Sequence, residues 1–194
     1  MEKKITAEVC VHHLRFNEHD YVDLGNQIKC NPSIKKEEDR AAVMAALLND
    51  QIDIIATDHA PHTWEEKSGP YSKAPAGLPL VQHAVQVLLD FYHDGTLSLE
   101  HIVKKTSHNV AKRFQIKDRG YIREGYFADL VILDTEKPHT VKKEDLLYKC
   151  GWSPFEGTTF NSSINTTIIN GNIVYKDSII QENIPFGKQI EFSR

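Results

Sequence analysis

"IDIIATDHAPH", residues 52–62, decides how this chain reads. Ile52, Ile54 and Ile55 surround a single acidic residue, and then Asp58, His59 and His62 crowd into five positions. A nearly continuous apolar run is what a parallel strand buried on both faces requires. In α/β sheets and barrels, ligands bind beyond the carboxyl ends of such strands. Residues 52–58 therefore predict a strand whose last residue, Asp58, presents a carboxylate at that end. There it can ligate a divalent metal or take a proton from an attacking water. It can equally cap the following turn. His59, the next residue, points the other way and is expected to pack or hydrogen-bond beside it. His62 either reaches back over the strand end or is a solvated loop histidine.

The flanking sequence extends the pattern. "ITAEVCV" (5–11) reads as a buried strand, and 12–34 as a long loop without a clean period, holding Gly25, Asn31 and Pro32. Residues 35–50 predict a helix with a broad apolar face. A second Pro- and Gly-rich loop (59–79) leads to a helix over 80–95 stopped by Gly95, then a helical stretch over 98–116 whose start at Ser98 lacks the full capping box. Adjacent His12 and His13 at a strand end should diverge, so at most one faces that end, as a ligand or as a structural hydrogen-bonder. After about 117 the chain turns strand-rich: a strand over 128–134, and a hairpin over 164–177 around Asn170-Gly171. This shift divides the chain into 1–116 and 117–194, with an α/β first part.

Composition narrows the function classes. The 194 residues carry 23 basic and 27 acidic side chains, net −4, which gives no electrostatic footprint for nucleic acid. The longest apolar runs, such as "AAVMAALL" (41–48), fall short of the ~18 residues that span a bilayer, and no secretory h-region follows the opening "MEKK". Cys10, Cys30 and Cys150 are odd in number and widely spaced, so reduced thiols in a cytoplasmic protein are expected, with no metal-ligand pair among them. Ten histidines make metal or proton chemistry worth testing. A metallohydrolase centre needs three or four protein ligands, yet the chain contains neither His-x-His nor His-Glu-x-x-His. On residues alone, Asp58 has too few partners here to build one.

"ATDHAPH" (56–62) followed by Glu65-Glu66-Lys67 resembles the dihydroorotases of the amidohydrolase superfamily. So do "EVCVHHL" (8–14), "KCNPSIKKEEDR" (29–40), "APAGLPLVQ" (74–82), "REGYFADLVILD" (123–134) and "GWSPFEGT" (151–158). The resemblance covers essentially the whole chain but only the C-terminal portion of that family. It implies the C-terminal part of a (β/α)8 TIM-like barrel over 1–116 and strands of a small β-sandwich over 117–194. The implied reaction is the reversible hydrolysis of L-dihydroorotate to N-carbamoyl-L-aspartate in pyrimidine biosynthesis, with one or two divalent ions, usually zinc. It further implies Asp58 as metal ligand and proton shuttle, and Asn31, His62, Ala76 and Gly77 as substrate contacts. Relatives acting on hydantoins or allantoin tend to lack the second histidine, so His62 favours dihydroorotate.

The family's remaining metal ligands come from earlier strands, and Cys10-Val11 stands where Thr-Pro or Ala-Pro is usual. The isolated chain is therefore expected neither to bind zinc tightly nor to turn over. The missing N-terminal part of the same enzyme is the expected partner, in a homo-oligomer when full length. A non-catalytic subunit binding aspartate transcarbamoylase, and a hydantoinase or allantoinase, are the alternatives.

Overall fold

The computed structural model describes residues 4–181 and 187–193; Met1–Lys3 and Arg194, the ends of the two expected segments, lie outside the described residues. In chain order the elements are β1 (Glu8–Cys10), α1 (Val11–Arg15), α2 (Tyr21–Leu24), α3 (Glu37–Leu48), β2 (Ile54–Ala56), α4 (Trp64–Lys67), α5 (Ala84–His93), α6 (Leu99–Val103), α7 (Asn109–Phe114), β3 (Leu130–Asp134), β4 (His139–Thr140), β5 (Thr159–Phe160), β6 (Ser163–Ile169), β7 (Asn172–Lys176) and β8 (Ile179–Ile180). Among the described residues no helix is long and apolar enough to cross a membrane.

The chain forms two compact units: 1–88 with 140–159, and 89–139 with 160–194. In the first, β1 and β2 run parallel, with Glu8, Val9 and Cys10 opposite Ile54, Ile55 and Ala56. Val9, Ile54 and Ile55 are buried, as the apolar run requires. At about 1.5–3 kcal/mol for each fully buried aliphatic side chain, these strands are held chiefly by the core they enter. At the amino end of β2, Asp53 Oδ2 accepts the Ala7 N–H at 2.8 Å.

Three expectations are corrected in this unit. The strand expected over 52–58 ends at Ala56, and Asp58 lies beyond it with φ of 45°, in the left-handed region. Segment 12–34 is not a structureless loop: it folds into α1, a 3-10 turn at Glu18–Asp20, α2 and a 3-10 turn at Gly25–Ile28. Asn17 explains part of this, because its side chain accepts the His19 N–H and its own N–H bonds Asp20 Oδ2 at 2.7 Å, a reciprocal cap. His12 and His13 do not diverge. They stand in the first turn of α1, where successive side chains turn by about 100° rather than 180°, and their ring centroids are 4.2 Å apart.

In the second unit, α6, a π-helical turn at Lys104–His108 and α7 make one helical stretch, and Ser98 does cap it, accepting the His101 N–H at 3.2 Å. The four-stranded sheet has the order β3-β6-β7-β8 and is antiparallel throughout. The hairpin turns at Asn170 and Gly171, with φ of 50° and 82°, the two positive values that a two-residue turn of this hand demands.

Candidate active site

Asn31, Asp58, His62, Ala76 and Gly77 all belong to the first unit. Asp58 is exposed there, two residues past the last ladder residue. Its neighbour His59 serves the backbone: Nδ1 accepts the Leu80 N–H at 3.1 Å and lies 3.4 Å from the Val81 nitrogen, so Nε2 carries the proton. Both adjacent side chains are exposed, and of the two it is His59 that hydrogen-bonds the neighbouring backbone.

The 59–79 segment is built around one buried cation. Thr63 and Glu66 cap α4 reciprocally, and this short helix delivers Lys67 into the interior, where it is 1% exposed. Lys67 Nζ donates to the carbonyls of Lys29 (3.2 Å), Pro75 (3.1 Å) and Gly77 (2.8 Å). Burial pushes the ammonium pKa down to about 8, while three carbonyl acceptors replace its lost water. Lys29 Nζ supports the same loop from outside, donating to the carbonyls of Tyr71 and Ala74, each at 2.5 Å. Both lysines lie in stretches that carried the resemblance, but their role depends on contacts many residues away, which no local pattern displays.

Of the residues singled out from sequence, His62, Ala76 and Gly77 come together. His62 Nε2 lies 3.2 Å from the Ala76 carbonyl oxygen, and its Nδ1 is 3.6 Å from Glu66 Oε2. The His62 carbonyl in turn accepts the Trp152 Nε1–H at 2.8 Å. Gly77 has φ of 129°, and a Cβ there would stand 2.5 Å from the Ala60 oxygen and 3.3 Å from His62 Nε2. Only glycine fits so close to the histidine ring. Asn31 is exposed and precedes a cis Pro32; its segment is tied to this loop by the Gly77 N–H, which donates to the Lys29 carbonyl at 2.9 Å. A cleft of about 430 Å³ beside His59 and Tyr148 is lined by none of these predicted residues.

At the end of β1 the structure groups Cys10 with both His12 and His13, where the sequence reading allowed at most one of the histidines to face that end. One donor atom each from Cys10, His12 and His13 lies within 4.8 Å of the others. His12 is fully buried, and neither ring nitrogen has a hydrogen-bond partner among the described residues. Burial, and then the His13 charge, push its pKa down to about 3. Unsatisfied nitrogens on a buried ring cost roughly 1–3 kcal/mol each. The signal available in sequence was Cys-x-His-His read as a helical turn rather than as a strand.

Asp58 is not part of that group, and no grouping of three such donors among the described residues includes it. The described residues therefore do not by themselves fit a one- or two-metal centre built on Asp58.

The profile of the amidohydrolase family matches residues 2–174. A dihydroorotase of Clostridium acetobutylicum is 40% identical over 178 residues, 91% of this chain and 42% of that protein. An allantoinase of Desulfitobacterium hafniense is 34% identical over 187 residues, 96% of this chain and 41% of its own length. Among solved structures, the L-hydantoinase (dihydropyrimidinase) of Arthrobacter aurescens superposes with a TM-score of 0.88 at 26% identity, over 95% of this chain and 42% of that one. The chain thus spans about two fifths of the length of the relatives it matches. The fold class expected from sequence holds: α/β, part of a barrel followed by sandwich strands. The chain belongs to the amidohydrolase family.

Proposed function

We propose that this chain supplies one wall of the active site of a dihydroorotase, an enzyme that opens L-dihydroorotate by hydrolysing its ring amide. The observation that carries the reading is the junction of His62, Ala76 and Gly77, held by the three carbonyl bonds of buried Lys67. It offers one imidazole and nearby backbone groups on a fixed frame. The 40% identity to a dihydroorotase supports the same choice.

In this reading His62 and Asn31 bind the substrate carboxylate and ring as donors, and the backbone at Ala76 and Gly77 sets the ring's depth. Asp58 takes a proton from the attacking water and returns it to the ring nitrogen as the C–N bond breaks; the water's O–H stays on the carbonyl carbon as the new carboxyl group, whose proton passes to solvent as it ionises. Asp58 is also proposed as the one ligand this chain contributes to the zinc the family uses; the remaining ligands must come from other residues, and no step is routed through the ion here. The same reading extends to residues 1–116 as part of the barrel, 117–194 as part of the sandwich, pyrimidine synthesis in the cytoplasm, and assembly with an N-terminal enzyme part, as a homo-oligomer or with aspartate transcarbamoylase.

A second reading, a hydantoinase or allantoinase, is favoured by the 34% identity to an allantoinase and the close superposition on an L-hydantoinase. The test is substrate profiling of the chain complemented with the preceding part of a dihydroorotase. Ring opening of dihydroorotate well ahead of hydantoin and allantoin supports the first reading, and the reverse order replaces it with the second.

A further inference from the structure

We propose that Cys10, His12 and His13 form a binding site for one divalent cation of the zinc type. The inference rests on these three side chains and not on the reaction proposed above. Their donor atoms lie within 4.8 Å of one another. Tetrahedral ligands at usual zinc distances stand roughly 3.5 Å apart, so modest side-chain rotation closes the group around an ion. One thiolate and two imidazoles are a soft set, which selects zinc-type ions over magnesium or calcium.

His12 is the independent second observation. Its ring is fully buried, and both nitrogens lack partners among the described residues. Buried polar atoms are ordinarily bonded, and a cation at the cluster supplies the missing partner to one of them. The hydrogen bond of His13 fixes a tautomer that suits such a role. Its Nε2 lies 2.8 Å from the Pro32 carbonyl oxygen, which makes Nε2 the donor and leaves Nδ1 with its lone pair. A histidine that holds a metal through one nitrogen usually donates the other N–H in this way. Cys10 completes the set from the last residue of β1, opposite Ala56, and its thiol makes no capping bond to α1. On binding, the cation takes the sulfur as thiolate and the thiol proton passes to solvent; nothing is oxidised or reduced. Three protein ligands leave a fourth position for water.

Cobalt(II), a spectroscopic stand-in for zinc, tests the site in the reduced 194-residue chain. One equivalent should raise a near-ultraviolet thiolate-to-cobalt band with the visible bands of a tetrahedral ion, and zinc should displace it. Cys10→Ser should abolish the near-ultraviolet band, while Asp58→Ala should keep it, which separates this site from any ion bound through Asp58. Circular dichroism checks the fold of each variant. Should Cys10→Ser fail to fold, His13→Ala on the partly exposed ring is read in its place, with zinc affinity expected to fall about tenfold or more. A folded wild-type chain without the band, a band that survives Cys10→Ser or is lost in Asp58→Ala, or unchanged zinc affinity in His13→Ala overturns the proposal.

Discussion

Lys67 Nζ donates to the Gly77 carbonyl at 2.8 Å, and this one bond joins the helix after the Asp58 loop to the strip that faces His62. The ammonium also holds Lys29 and Pro75, so three backbone carbonyls on two segments depend on a single buried charge. Lys67→Met keeps much of the volume and removes the donor. It is expected to lower unfolding free energy by about 2–4 kcal/mol, since three carbonyls lose their partner. Urea denaturation of the two chains measures it, and loop 70–77 should become more sensitive to limited proteolysis in the variant.

Gly77→Ala places a methyl 2.5 Å from the Ala60 oxygen and 2.8 Å from the Ala60 Cβ, at a φ of 129°. Backbone atoms cannot yield cheaply, so a loss of about 1–3 kcal/mol is expected. For a chain of this size that lowers Tm by roughly 2–4 °C per kcal/mol, read by differential scanning calorimetry. Because the same methyl meets His62 Nε2 at 3.3 Å, a complemented enzyme should lose substrate affinity as well.

Glu37 at the start of α3 accepts Arg40 Nε at 2.7 Å and Asn17 Nδ2 at 2.8 Å, and Arg40 also donates to the Leu14 carbonyl at 3.0 Å. Hydrogen bonds from Arg40, then Asn17, hold its carboxyl down to about 2 against an ordinary 4.5. As pH falls below 4.5 the unfolded chain takes up a proton that the folded chain refuses until about 2, so this contribution is complete above 4.5 and drains away toward 2. Glu37→Gln should show a shallower loss of stability across that window than wild type, followed by urea midpoints at successive pH values.

In the second unit, Asn170 holds φ of 50°, its side-chain oxygen accepts Arg119 Nη2 at 2.7 Å, and its N–H donates to Asp129 Oδ1 at 2.7 Å. Asn170→Ala removes the first bond and the residue type that tolerates the left-handed region. A loss of about 1–2 kcal/mol is expected, measured as a shift in thermal midpoint.

The parts of the fold legible in sequence were those set by nearest neighbours. Ile54-Ile55 announced a buried strand, Asn170-Gly171 a hairpin, and 35–50 a helix that runs from Glu37 to Leu48. The expectation that His59 would hydrogen-bond locally also held, although the strand stops at Ala56, short of Asp58. What escaped were features fixed by distant partners or by a change of period. Lys67 reads locally as a surface lysine, because its acceptors at Lys29 and Pro75 lie 38 and 8 residues away. The strand at Cys10 gives way to helix at Val11, and that one switch turns diverging histidines into a cluster with the thiol. Segment 12–34 looked irregular since its helices are each under six residues and begin at polar caps such as Asn17.

The most direct measurement is the rate of dihydroorotate ring opening by the chain mixed with the preceding part of a dihydroorotase, compared between wild type and Asp58→Asn. The wild-type mixture should open the ring while neither component does so alone, and Asp58→Asn should lower the rate by about 100-fold or more, as loss of a proton-transfer group does. Equal rates for the wild-type and Asp58→Asn mixtures, or full activity of the 194-residue chain on its own, would contradict the role given to this carboxylate.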